Sequence, residues 1–454
     1  LRVGASAASF ALQGAPHLML HAPQLYGEPR QFDAARGVLT AQWDGGWHAQ
    51  LDGFVARTGS MALAARGRLS LPAPDDPASA PDLFVQGAVE QAPAAEFFAL
   101  LPDRALSPKF IAWGRDAIKG GSLQDVRVLL RGDPRRFPFR DHQGQFLAST
   151  GFTDVALDYQ PGEGWPTVSE ARGRFGLTGP EFWLTLDDGR LLDSRASDLT
   201  VRIPDVALPA RRLLLDGTAK GPAEDAIRFV RESPLAERFG SQVARLAFDG
   251  TAQTQVGLDL VFTGPVKSTR VSGRTRLAGN TLTIDGTGLV VRGLQGEVGF
   301  GSAGLDARAV SARLFGGPVT FDLRSAAGVP LRIEPRGEAA AAEVTRYLRL
   351  PWPGLFDGPM PWQGGIDIGN DGTLTLDLGV DLARATADLP APLDVLHSRP
   401  MAVHASCACG TAPRVWDVTL TAQPLTARLD LASADGGGTA LRRAALAVGV
   451  EPRL

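Results

Sequence analysis

Two cysteines, Cys407 and Cys409, are all that 454 residues contain. No disulfide framework can carry the fold, and the redox compartment stays open. Charge of one sign is also missing, since the formal net charge is -3 with a pI near 6.1. Without a basic field to neutralise a row of phosphates, nucleic acid is excluded as an expected partner. Aromatic residues are few: Tyr 3 and Trp 8 are too sparse for the exposed ladders of a polysaccharide-binding β-solenoid. No apolar run approaches the roughly 18–20 residues that cross a bilayer as a helix. Stretches such as residues 128–130 and 213–215 are soon interrupted by charge. The opening segment, residues 1–30, has no basic-then-apolar targeting signal. With Leu1 in first place, the expectation is a chain that starts inside a longer protein whose membrane anchor lies elsewhere.

What is abundant is turn chemistry. Gly 53 and Pro 33 are spread along the whole chain, which reads as a turn every few strand lengths rather than a disordered tail. Between the turns, apolar and polar residues alternate with period two, as in Leu282-Thr283-Ile284, Val319-Thr320-Phe321-Asp322-Leu323 and Leu374-Thr375-Leu376-Asp377-Leu378. Phe182-Trp183-Leu184-Thr185-Leu186, Leu258-Asp259-Leu260, Val418-Thr419-Leu420 and Leu425 through Leu431 repeat it. Such segments are half-buried strands. Asp44-Gly45-Gly46, Asp188-Gly189, Asp216-Gly217, Asp249-Gly250, Asn370-Asp371-Gly372 and Asp435-Gly436 supply the positive φ of tight hairpins, so consecutive strands pair antiparallel. Roughly thirty strands at about 4.8 Å spacing would extend on the order of 140 Å as one sheet.

Helices are few. One is expected over about 107–120, with Ser107 as N-cap, Pro108 in the first turn, Gly120-Gly121 as stop, and Phe110, Trp113, Ala117 and Ile118 as its apolar stripe. Others are expected over about 222–231, ending at Ser233-Pro234, and over about 338–348, with Val344, Tyr347 and Leu348 on one side. The Pro-rich piece 71–81 is the best linker candidate, or else a long surface loop.

Catalytic signatures are wanting. His17, His21, His48, His142, His397 and His404 never fall at the spacing of a helical zinc site. In a strand, Cys407 and Cys409 face away from His404, so the three do not converge; the cysteines read as small half-buried side chains rather than a local bridge. Gly299-Phe300-Gly301-Ser302-Ala303-Gly304, with Asp322 beyond it, has dinucleotide-loop spacing but lies between alternating strands, so it reads as a hairpin turn. Gly-x-Ser-x-Gly is absent, and Asp75-Asp76 and Asp187-Asp188 fall in solvated, turn-like segments. Neither an enzyme nor a cofactor is expected.

Several segments together resemble the YhdP family of AsmA-like bacterial envelope proteins, relatives of TamB and AsmA. They are Leu101-Pro-Asp-Arg-Ala-Leu-Ser-Pro-Lys-Phe-Ile-Ala-Trp113, Gly121-Ser-Leu through Leu130-Arg-Gly132, and Phe137-Pro-Phe139. Leu157-Asp-Tyr-Gln-Pro-Gly162, Trp165-Pro166, Ser233-Pro-Leu235, Leu314-Phe-Gly-Gly-Pro-Val319 and Asp388-Leu-Pro-Ala-Pro-Leu393 continue the series in order. Asp394 departs from the basic residue that often follows that last motif. The resemblance implies a mainly β protein whose long curved antiparallel sheet forms an elongated hydrophobic groove. It also implies a periplasmic location with an inner-membrane tether, phospholipid as the partner, and transport of acyl chains toward the outer membrane. Outer-membrane or periplasmic proteins are the further partners it allows.

On that footing the chain divides into a groove segment at 1–80, a helix-containing segment at 81–150, a repeated-hairpin groove segment at 151–335 and a last groove segment at 336–454. Parity alone nominates Leu282, Ile284, Val298, Phe300, Val319, Phe321, Leu323, Leu374, Leu376 and Leu378 as lipid-facing. An ordinary sandwich core predicts the same alternation. The competing function is a structural scaffold that assists outer-membrane protein assembly through exposed strand edges.

Overall fold

Period-two segments become strands almost wherever the sequence places them. The structure, a computed structural model, describes residues 2–3, 7–12, 18–73, 79–104, 106–265, 267–285, 289–302, 304–326, 329, 331–347, 356–369, 373–382, 384–387, 400–408, 415–433 and 439–449. His17, Asp75-Asp76, Leu348, Asn370-Asp371-Gly372, the 388–394 motif, His397, Cys409 and Asp435-Gly436 lie outside those residues. The chain is mainly β, its long sheet is antiparallel and not closed, and two compact units are distinguished: residues 1–219 with 257–269, and 220–256 with 270–454.

In the first unit the strands are β1 (Arg2–Val3), β2 (Ala7–Leu12), β3 (Leu18–Leu20), β4 (Arg30–Phe32), β5 (Ala34–Trp43), β6 (Trp47–Thr58), β7 (Met61–Leu71) and β8 (Asp82–Pro93). They continue as β9 (Ile118–Gly132), β10 (Gln145–Leu157), β11 (Val168–Thr178), β12 (Glu181–Leu191) and β13 (Ser194–Ile203), with β14 (Arg212–Pro222) running to its end. From β5 to β13 each strand pairs antiparallel with the next, while β3 and β4 form a separate flap. The strands on either side of the Pro-rich piece pair with each other, Leu69 with Leu83 and Ser70 with Asp82.

In the second unit β15 (Leu246–Asp249), β16 (Thr251–Val261), β17 (Ser268–Ile284), β18 (Leu289–Gly301), β19 (Gly304–Leu314), β20 (Gly317–Arg324) and β21 (Leu331–Ala340) come first. Then follow β22 (Phe356–Asp357), β23 (Pro359–Ile368), β24 (Thr373–Asp381), β25 (Thr386–Ala387), β26 (Pro400–Ala408), β27 (Val415–Ala422), β28 (Leu425–Ser433) and β29 (Thr439–Val448). The ladder runs β15, β17, β18, β19, β20, β21, β23, β24, β26, β27, β28, β29, with β22 and β25 paired apart.

Asp-Gly does not always turn. Asp188-Gly189 lies inside β12 and Asp216-Gly217 inside β14. Gly217 is there because Leu199 packs against it: an added Cβ would sit 3.0 Å from the Leu199 Cβ. Asp249-Gly250 links β15 to β16 without pairing them as a hairpin, since β15 pairs with β17. Asp44-Gly45-Gly46 and the 299–304 glycines do turn, at Trp43–Trp47 and Gly301–Gly304.

Short helices follow strands without a break. β8 runs into α1 (Ala94–Ala99), then α2 (Pro108–Ala117); β14 leads to α3 (Glu224–Arg231) and α4 (Ala236–Val243); β21 runs into α5 (Ala341–Tyr347). The Ser107 hydroxyl accepts from the Phe110 amide at 3.1 Å, a true N-cap. Ile118, however, opens β9, and Phe110 and Trp113 are exposed; the buried side of α2 is Gly114 and Ala117, with the Phe98 ring of α1 seated where a Gly114 side chain would be. Close approach of the two helices outweighs the aromatic stripe. Residues 338–340 are strand, and α4 was not foreseen because its amphipathic turn follows directly on Ser233-Pro234.

Candidate functional site

Directly opposed residues of an antiparallel ladder share a face, so register converts parity into geometry. In the second unit one row passes Val298, Ala307, Leu323, Ile333, Ile366, Leu376, Ala405, Val418 and Leu429. Beside it run Leu331, Ile368, Leu374, Cys407, Trp416 and Leu431, and on the other side Leu378, Val403, Leu420, Ala427 and Leu446. The reverse face carries Arg324, Arg332, Asp367, Thr375, Ser406, Asp417 and Asp430 in one row, and Asp377, His404, Thr419 and Arg428 in another. One side of the sheet is hydrocarbon and the other is ionic.

All ten nominated residues lie on the apolar face, but they divide into groups. Leu282, Val298, Val319, Phe321 and Leu323 gather around a buried cluster of Leu277, Val291, Leu294, Val310 and Leu314. Ile284 opposes Leu289, and Phe300 opposes Gly273, whose missing side chain leaves room for its ring. Leu374, Leu376 and Leu378 belong to the region where the face has no cover.

That bare region is the main finding. Leu331, Ile333, Ile366, Ile368, Leu374, Leu376, Leu378, Val403, Trp416, Val418, Leu420, Leu429 and Leu431 are all half-buried, and none joins a core cluster. A second layer would have buried them, as it does in a sandwich. Among the described residues none is laid over them. The first unit repeats the arrangement, with Leu51, Leu69, Leu83, Val85, Leu130, Phe146, Leu177, Phe182 and Ile203 half-buried on one face. These residues alternate as plainly as the ten; register was needed to join them into rows.

Among the described residues, the cover lies at one end of the strands. In the first unit Phe97 and Leu100 of the α1 region pack on Met61, Val89, Leu123, Val126, Phe152 and Leu186, and Leu18 with Phe32 of the flap pack near Ala35 and Ala56. In the second, Val344 of α5 packs with Ala339, Met360, Leu382 and Ala385. The seal has a recurring frame. Ala223 donates to the Gly250 carbonyl at 2.9 Å, and Ala341 to that of Gly358 at 3.0 Å. Gly250 and Gly358 have φ of 95° and 99°, and Gly121, which follows α2, has 95°. The repeated Phe-Asp-Gly at 248–250 and 356–358 was the overlooked signal.

β-bulges bend the ladder beside these seals. Gly53, Asp125, Asp154, Glu170, Gly279, Gly293 and Ala309 take positive φ there. Asn280, 1 % exposed, pins one: its amide donates to the Asp249 and Thr251 carbonyls at 3.2 and 2.9 Å and its oxygen accepts from Ala278 at 2.9 Å.

Ionisable groups keep to the reverse face and the rims. Hydrogen bonding by Arg195 holds the Asp188 carboxyl below its ordinary range, and Arg140 does the same to Asp205. His404 hydrogen-bonds Asp377. Cys407 faces away from His404, opposite Leu374 and Trp416; it is buried and disulfide-bonded, which corrects the expectation of a plain small side chain. One depression, about 800 Å³, opens mainly on the reverse face, between Arg336, Gln363, Gly379, Ala402 and Thr421. No cluster of metal-binding side chains occurs among the described residues, and no helix there is long and apolar enough to cross a membrane.

Against known proteins, the family described as "YhdP protein" matches residues 5–453. The chain is 25 % identical over 391 residues to the Escherichia coli (strain K12) protein named intermembrane phospholipid transporter YhdP. That match takes in 82 % of the chain and 29 % of the relative, so the chain spans under a third of the length of the curated relative it matches. The ordered motifs, the open antiparallel sheet and the match over nearly all residues agree: the chain belongs to the YhdP family.

Proposed function

We propose that the uncovered apolar face is a lane for phospholipid acyl chains, by which this protein takes part in moving lipid across the periplasm between inner and outer membrane without catalysis. The observation that carries this reading is the unbroken file of aliphatic side chains that starts at the buried cluster with Val298, Ala307 and Leu323 and runs on to Leu429, its larger members half-buried and none ionisable. A lipid with roughly thirty methylenes would expose them to water at about 0.8 kcal/mol each, on the order of 25 kcal/mol in all. A continuous hydrocarbon surface removes that barrier. Being non-directional, it does so without a deep well that would stop the lipid.

Length supports the reading. Nine strands at about 4.8 Å spacing span on the order of 40 Å. One leaflet of a bilayer's hydrocarbon core is roughly 15 Å deep. A single lipid cannot fill such a file, so several would follow one another. The relative's printed name, an intermembrane phospholipid transporter, points the same way.

Photo-crosslinking amino acids at Leu376 and Phe321 test the proposal in cells. They should capture phospholipid, whereas Thr375 and Thr320, on the reverse face, should not. Capture confined to the threonine positions would refute it.

A further inference from the structure

Three side-chain nitrogens among the described residues are buried without a hydrogen-bond partner: Arg30 Nε, Arg211 Nε and Trp362 Nε1. Arg30 keeps another guanidinium nitrogen on Asp103 at 3.3 Å and lies over the Tyr26 ring, and Trp362 is a neutral ring packed against two buried apolar clusters. Arg211 is a cation with neither excuse. Its side chain makes no hydrogen bond and no ion pair among the described residues. Its backbone is nonetheless tied down: the amide donates to the Thr263 hydroxyl at 2.7 Å, and the carbonyl accepts from the Phe262 amide at 3.2 Å. Other arginines of the same rim are paired, Arg140 with Asp205, Arg202 with Glu181 and Arg212 with Asp259, each at 2.7 Å.

Its neighbours place it. Arg212 turns an exposed guanidinium to Asp259, and Arg211, one residue earlier in extended chain, points the other way. That other side is the apolar face. Gly217 has the parity of Arg211, and a Cβ on it would lie 3.0 Å from the Leu199 Cβ. Leu199 opposes Leu186 and packs on the buried cluster of the first unit. Leu213 and Leu215 share this parity and are half-buried. Stepping in twos from Leu199 and Gly217 sets Ile203 beside Leu213, at the end of a row that runs from Leu177 through Phe182. Arg211 therefore stands one step beyond that row, half-buried, at the rim away from α1.

A buried donor without an acceptor costs stability unless something outside the chain supplies one. Snorkelling would wet the terminal nitrogens of an ordinary surface arginine, but it leaves Nε with nothing. The guanidinium is a planar fork that fits a phosphate at two points, and the surface beneath it is hydrocarbon. An anion joined to apolar chains meets both demands.

We propose that Arg211 holds the phosphate of a phospholipid whose tails lie on Phe182, Ile203 and Leu213. This rests on the lane reading above and adds to it a headgroup contact and a polarity, with headgroups at this rim and tails running inward over the sheet.

Photo-crosslinking amino acids at Ile203, beside the contact, and at Leu376, in the second unit, provide the test. The purified chain receives phosphatidylglycerol or diacylglycerol of the same tails, each delivered alone from cyclodextrin. Arg211→Gln should lower phosphatidylglycerol capture at Ile203 about tenfold, the scale of a lost charge-assisted hydrogen bond. Arg211→Lys, which keeps the charge and loses the fork, should lower it less. Diacylglycerol capture at Ile203 and capture of either lipid at Leu376 should not change, and Arg212→Gln should alter nothing. Equal loss of both lipids at Ile203 in both Arg211 variants would assign the residue to local structure and overturn the proposal, as would undiminished phosphatidylglycerol capture. Calorimetry with inorganic phosphate separates the sources: Arg211-dependent uptake of free phosphate with lipid capture unmoved would also overturn it. Wild-type capture at Leu376 but not at Ile203 defeats this proposal alone, whereas capture at neither position defeats the lane reading and this proposal with it.

Discussion

Leu376→Glu separates the lane from the fold. Leu376 lies in mid-row, with Ile366 on one side and Ala405 on the other, and is half-buried. A tail passing this point touches it with about three or four methylenes, worth about 0.8 kcal/mol each, so roughly 3 kcal/mol of contact is lost. That alone is about a hundredfold in lipid capture, before the cost of dehydrating the carboxylate. The fold loses far less. A leucine already half in water gives up about 1 kcal/mol, a shift of about 2–4 °C for a unit of this size. Tails over the carboxyl favour its neutral form and raise its pKa above the usual ~4.3. Capture is then present below the raised pKa and lost as pH rises through it. Native mass spectrometry after vesicle exposure should therefore show the variant empty at pH 7.5 and refilling toward pH 5, with the wild type loaded throughout. Undiminished loading of the variant at pH 7.5 would refute the reasoning. Equal emptying by Thr419→Glu, set between His404 and Arg428 on the reverse face, would do the same.

Gly121→Ala combines an unfavourable φ of 95° with a Cβ 2.6 Å from the Val155 Cα, and should lower stability in urea by about 2–4 kcal/mol. Asn280→Ala strips buried carbonyls of their donor at a cost of about 2–3 kcal/mol, read as faster amide exchange around residues 249–251 and 278. Tyr159, whose pKa is pushed up to about 12 by burial and then by the Asp158 charge, should ionise only as the pH nears 12 in an ultraviolet titration. Because the folded pKa exceeds the unfolded value of about 10, its contribution to stability is full below pH ~10 and disappears as pH climbs to about 12.

Strand identity, antiparallel order and sidedness were legible because alternation and turns are local properties. Counting in twos sets Leu374, Leu376 and Leu378 on one face of their strand, and the register joins them to Ile368, Ile366 and Gly364. Counting fails across a bulge. Leu123 and Val126, Phe152 and Val155, Val291 and Leu294, and Ala307 and Val310 are buried pairs three residues apart, since the bulged residue between them resets the alternation. Asp and Glu at positive φ gave no warning, because the same residues serve surface turns. Whether the apolar face was covered could not be read at all: Leu323, at the buried cluster, and Leu376, on the bare sheet, sit in the same kind of pattern. Phe137-Pro-Phe139 was visible as a motif, yet which of its rings is wedged and which is displayed depends on Gly132 and Gly144 meeting in space.

From β5 to β13, and again from β17 to β29, each ladder strand is bound to its neighbours along the chain. Mechanical integrity is thus distributed, and a faulty hairpin weakens only its own vicinity. On the proposed lane, traffic along the surface would have the opposite logic, because every passenger would cross the strands of the row in turn. On that reading, damage at a single crossing would leave a soundly folded molecule through which nothing moves, and assays of folding alone would miss it.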